Sequence, residues 1–141
     1  MNYELLKAEL LEPAYNGLSD ADTATLINSE TVSIKQRIET HAVQQYLMLT
    51  DLLILIESGT SDAAKTATRA LQIFESFDMN NPLIEGKFTA ILDGLVADAL
   101  IGFTNTNKLT ILSLGNKTIS RATELGFGVV REGDIKFARS L

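Results

Sequence analysis

The stretch His41–Ser58, HAVQQYLMLTDLLILIES, is the most apolar continuous part of the chain, and its reading decides the fold class. Between Ala42 and Ile56 only Gln44, Gln45, Thr50 and Asp51 are strongly polar. On a helical wheel Val43, Tyr46, Leu47, Leu53, Ile54 and Ile56 share one broad face, while Met48, Leu49, Leu52 and Leu55 fill much of the rest. A helix that is apolar nearly all round is either a membrane span or the hub of a core. A span needs about 20 consecutive apolar residues. Here the longest apolar run, Leu52–Ile56, is bounded by Asp51 and Glu57. The pattern therefore predicts one central helix over 41–58, buried on nearly every side, with Thr40 as its N-cap and Gly59 as its left-handed stop.

Working outward, residues 2–12 place Leu5, Leu6, Leu10 and Leu11 at helical spacing, and Pro13 ends that helix. Asn16-Gly17 reads as a turn with positive φ at the glycine. Ser19-x-x-Asp22 opens a short helix that Asn28 and Ser29 close. Val32–Ile38 alternates apolar and polar residues, which reads as a short strand, and Val129-Val130 is its expected partner. Beyond the hub, Thr60-Ser61-Asp62 caps a helix with Ala63, Ala67, Ala70, Leu71, Phe74 and Phe77 on its inner stripe. Leu83–Ile101 is helical in pattern, and Gly86 and Gly94 within it mark tight crossings. Lys108–Leu114, Ser120–Leu125 with Gly126 as the residue past its end, and Gly133–Leu141 complete the helices. The fold predicted is all-α: six to seven helices around the 41–58 hub, with at most one two-stranded ribbon, in a single globular domain over 1–141.

Composition bounds the function. The chain has 141 residues, no cysteine, one histidine and a net charge of −6. That charge gives no electrostatic footprint for nucleic acid, and Lys35 with Arg37 are too few to make one. Acids interrupt the first apolar stretch, MNYELLKAELLE, so it does not read as a signal peptide and a cytoplasmic site of synthesis is expected. His41, at the start of the hub, reads as a capping or solvent-facing residue. One histidine and no cysteine leave only carboxylates for zinc. Asp20 and Asp22 lack the twelve-residue loop that calcium needs and read as acids at a helix N-terminus. Gly126-Phe127-Gly128 follows a helix rather than a strand, so it reads as a cap and a turn, not a phosphate cradle. Asp93 and Asp98, five apart on one helix, do not face each other. Phe74 and Phe77 read as core. No catalytic, cofactor-binding or metal-binding residue is expected, and no cofactor.

Two blocks at the ends carry a resemblance. The first is Leu6-Lys7-Ala8-Glu9-Leu10, Pro13-Ala14-Tyr15-Asn16-Gly17, Ser19-Asp20 and Leu26-Ile27-Asn28. The second is Ser120-Arg121-Ala122-Thr123-Glu124-Leu125-Gly126, Val130, Gly133-Asp134-Ile135 and Ala138-Arg139. Together they resemble a family of small, mostly uncharacterised proteins of tailed bacteriophages and prophages, with Phe127 standing where that pattern has Leu. The resemblance implies a phage gene product associated with the virion and carries over no site residue. Arg121 and Glu124 read either as a helix-surface pair or, for Arg121, as a tie from the tail to an acid of the N-terminal third.

The function expected is a non-enzymatic structural protein that docks onto other phage proteins of the head, neck or tail, in a symmetric assembly. It would be made in the host cytoplasm and then carried in the virion. Nucleic acid, membrane and small-molecule substrates are not expected as partners. The alternative is an early phage protein that binds and inhibits a host defence or regulatory factor, in keeping with the acidic, cysteine-free chain.

Overall fold

A computed structural model describes residues Met1–Leu141. The chain forms nine α-helices, one 3-10 turn and four short strands, so it is mostly helical without being purely all-α. In order these are α1 (Tyr3–Glu9), the 3-10 turn (Pro13–Tyr15), α2 (Asp20–Asn28), β1 (Glu30–Lys35), β2 (Arg37–Glu39), α3 (Thr40–Leu49), α4 (Leu53–Glu57) and α5 (Asp62–Ile73). Then follow β3 (Ser76–Asp78), α6 (Pro82–Ala97), α7 (Asn105–Ser113), β4 (Asn116–Ser120), α8 (Arg121–Glu124) and α9 (Glu132–Ser140). The chain groups into two compact units, residues 1–34 with 118–141, and residues 35–117. No helix is long and apolar enough to cross a membrane.

The predicted hub is not one helix. The chain breaks at Thr50–Leu52 into α3 and α4, and Asp51 adopts φ 61°. The break is a complete Schellman stop. Leu52 N–H donates to Leu47 O at 2.9 Å and Asp51 N–H to Met48 O at 3.1 Å, while the left-handed residue is Asp51 rather than a glycine. The Thr50 hydroxyl adds a bond to Tyr46 O at 2.9 Å. The turn buries Leu47 and Leu52 but leaves Met48 59 %, Leu49 73 % and Ile54 69 % exposed, so this stretch is not buried on nearly every side. The expected cap and stop also differ. Thr40 is the first helical residue, and its hydroxyl donates to Phe74 O. Gly59 does not take a positive φ; it is needed because a Cβ there would lie 2.6 Å from Ala64 Cβ.

In the unit of residues 35–117, α5 and α6 pack along small residues: Ala64, Ala67 and Ala70 are buried, and a Cβ on Gly94 would lie 3.3 Å from Ala63 Cβ. Gly86, by contrast, has open space and marks no crossing. The α5 helix stops at Ile73, short of the predicted stripe, because the chain turns into β3. Thr40 N–H bonds Glu75 O, and β3 runs antiparallel to β2 with Ile38 opposite Phe77. Ile38, Leu47, Ile56, Phe88, Leu95 and Ile111 lie at the centre of this core.

In the other unit, α9 packs on α1 and α2, and α8 on α2, around Leu6, Ile27, Ala122, Val130 and Ile135. The expected cap at Ser19 forms here, its Oγ accepting from Asp22 N–H, and Gly126 is left-handed at φ 78° after α8; Ser120, predicted inside that helix, instead caps it, its Oγ accepting from Thr123 N–H. Gly17 is left-handed too, at φ 76°. Val129-Val130 is not a strand. Asn28 holds both polar groups of Val130, its amide donating to Val130 O at 2.6 Å and its carbonyl accepting Val130 N–H at 2.9 Å. The predicted strand is instead two, β1 and β2, paired with β4 and β3 respectively.

Candidate interaction site

The termini meet through polar side chains. Arg121 donates from Nε and Nη2 to the two carboxylate oxygens of Glu9, both at 2.9 Å, and its Nη1 contacts Glu124. The Glu9 side chain is only 8 % exposed. The Tyr15 hydroxyl donates to Glu9 Oε1 at 3.0 Å. Hydrogen bonding from Arg121 holds the Glu9 carboxyl below the usual carboxylate range, and burial beside Glu9 pushes Tyr15 up to about 12. Three further bonds join the same two ends: Arg139 Nη1 to Asp20 Oδ1 at 2.6 Å, Arg139 Nη2 to the buried Thr23 hydroxyl at 3.0 Å, and the Tyr3 hydroxyl to Asp134 Oδ1 at 2.9 Å.

An open cleft of about 430 Å³ lies over Glu9, Glu12, Tyr15, Val32 and Arg121. Its chemistry is that of a fastener. The guanidinium is already matched by two carboxylates, Glu9 is ionised near neutrality, and Tyr15 keeps its proton there. Both readings of Arg121 hold at once, since it pairs with Glu124 on its own helix and ties the tail to the N-terminal third.

The second feature lies in the unit of residues 35–117. Phe74, Phe77, Leu83, Ile84, Phe88 and Ile91 line a groove of about 270 Å³ whose one charged lining residue is Lys87. It exists because of two sequence events. Asn81 caps α6, accepting from Leu83 and Ile84 N–H, and so fixes the first turn of α6 beside β3. Phe77 stacks on Phe88 at 4.3 Å between ring centroids, forming a buried aromatic floor. Leu83 remains 70 % exposed and Phe74 54 %. Phe77 is thus core, from β3 rather than from the helix stripe that predicted it, while Phe74 is half out of the core, tilted against Phe77 at 5.8 Å. The groove can take apolar side chains, with one cation at its edge for an acid.

The remaining candidates fall apart from one another. His41 is exposed at the start of α3, in a shallow depression with Glu39, Gln44 and Glu75. Asp93 pairs with Lys108 at 2.5 Å, and Asp98 accepts from the Ser61 hydroxyl and from Leu100 N–H, so these two acids serve different contacts. Lys35 approaches Glu85 at 4.0 Å and Arg37 is exposed on β2. Gly128, like Gly126, has a positive φ, 68°, in the turn after α8. No group of three or more histidine, cysteine or carboxylate side chains is placed to hold a metal ion. The groove was missed in the sequence because Leu83 and Ile84 fit a core stripe as well as a surface one. The exposed apolar residue directly after the Asn81-Pro82 cap was its only signal. No protein-family model, curated protein or solved structure matches the chain.

Proposed function

We propose that this chain is a non-enzymatic structural component of a tailed-bacteriophage particle, acting by docking an apolar surface onto other virion proteins in a symmetric assembly. The observation that carries the reading is the groove between β3 and α6: an aromatic floor, an exposed Leu83 and one lysine, with no side chain of its own unit filling it. Contiguous exposed apolar surface with a polar edge is the usual mark of an interaction site.

A second observation supports the phage resemblance. The residues that carry it are those that bond the two ends together: Glu9 and Tyr15 with Arg121, Asn28 with Val130, and Asp20 with Arg139. A motif made of mutually bonded residues describes one folded unit rather than two chance stretches. Quantitative mass spectrometry of gradient-purified particles tests the function. A fixed copy number matching a shell, neck or tail symmetry is expected. Absence from particles would overturn the reading and turn the search to a host factor in the infected cell.

A further inference from the structure

The exposed side of α1 has the chemistry that the groove lacks. Met1, Glu4, Leu5, Ala8, Leu11 and Glu12 are all exposed; Glu4, Leu5 and Ala8 share the outward face of α1, and Leu11 and Glu12 lie in the turn that follows it. Leu11 is 77 % exposed and Leu5 40 %, whereas Leu6 on the opposite side is fully buried. Turn bonds carry the helical path past Glu9: Leu11 N–H donates to Ala8 O at 3.3 Å and Glu12 N–H to Glu9 O at 3.0 Å. The helix and its closing turn therefore expose a second apolar stripe, Leu5–Ala8–Leu11, with Glu4 before it and Glu12 after it. An amphipathic helix with i, i+3/i+4 anchors is what an apolar groove accepts, and the signs of Glu4 and Glu12 complement Lys87.

We propose that the groove of one copy receives the Leu5–Leu11 stripe of a second copy of this chain, with Lys87 facing the flanking glutamates. This rests on the docking reading above and names the occupant. The two surfaces differ, so the contact is heterologous: the copy that gives its groove keeps a free stripe, and the copy that gives its stripe keeps a free groove. Such contacts propagate into a closed ring or an open filament.

Sedimentation velocity and native mass spectrometry of the full chain, taken to hundreds of micromolar, test this directly. Two variants change only exposed residues: Leu83→Glu blocks the groove, and Leu5→Asp with Leu11→Asp blocks the stripe. Wild-type protein is expected to grow in mass with concentration. Each variant alone is expected to need at least about tenfold more protein to assemble, because each loses an anchor side chain. Mixed in equal amounts, the two variants are expected to give a dimer and nothing larger, since only one intact groove and one intact stripe can meet. Lys87→Glu is expected to weaken assembly, and pairing it with Glu4→Lys and Glu12→Lys to restore it. A wild-type chain that stays monomeric throughout overturns the proposal, as does a mixture that forms no dimer. If that monomeric chain is nonetheless found in particles, docking onto other proteins stands without self-docking. Absence from particles removes the docking reading whatever the mass in solution.

Discussion

Arg121 holds Glu9 with two parallel hydrogen bonds while Tyr15 supplies a third, so a nearly buried carboxylate has all its strong partners within one cluster. Removing the arginine would strand that charge. Arg121→Ala is expected to lower the midpoint of urea unfolding, since it leaves Glu9 without its two strongest donors, and Glu9→Gln to lower it less, because the amide leaves no buried charge. The pH dependence follows from the sign of the shift. The folded Glu9 carboxyl sits below its ordinary 4.5, so the stability it contributes is complete above that value and is lost as pH falls beneath it. Glu9→Gln should flatten part of this acid loss; an unchanged acid limb would show that the pair contributes little. Asp51 makes the second prediction at this scale. At φ 61° it occupies a conformation that Gly takes freely and β-branched residues resist. Asp51→Gly should be neutral or stabilising, while Asp51→Val should cost about 1–2 kcal/mol, read from thermal midpoints. Neither Glu9–Arg121 nor Asp51 was fixed by pattern alone. The tie was one of two readings of Arg121, and a non-glycine left-handed stop leaves no mark in hydropathy.

Helices were the most legible level, because caps are local chemistry. Ser19 and Ser61, both read as start signals, each accept a backbone N–H at the start of the helix that follows, and Asn81, Thr104 and Ser120 do the same. The hub failed for a specific reason. Ten apolar residues outvoted Thr50-Asp51 on the wheel, yet those two residues terminate α3 locally, and the rest of the stretch then turns Met48, Leu49 and Ile54 outward. Strand partners were illegible because β3 and β4 are short and polar, SFD and NKTIS, and pairing is decided by distant contacts. The two glycines of α6 give the prediction at this scale. Gly94→Val should push against Ala63 and cost about 1–3 kcal/mol. Gly86→Ala, in open space, should add about 1 kcal/mol through helix propensity. Equal effects at the two positions, measured by chemical denaturation, would contradict the close α5–α6 approach.

At the scale of the whole molecule, periodicity gave the mostly helical content and composition the charge. Each unit has its own core, one around Leu6 and Ile135 and one around Leu47 and Phe88. Periodicity marks which residues are apolar without saying which of them share a core. It likewise cannot tell the outward stripe of α1 from its inward one. In the self-docking proposed above, the recess over Phe77 and Phe88 is covered by residues 1–12 of a second copy. Hydrogen–deuterium exchange of the full chain at low and high concentration tests it most directly. Protection is predicted to rise together in residues 1–12 and 74–91 as concentration increases, and to stay flat in the Leu83→Glu variant. Exchange in both segments that is independent of concentration would contradict it.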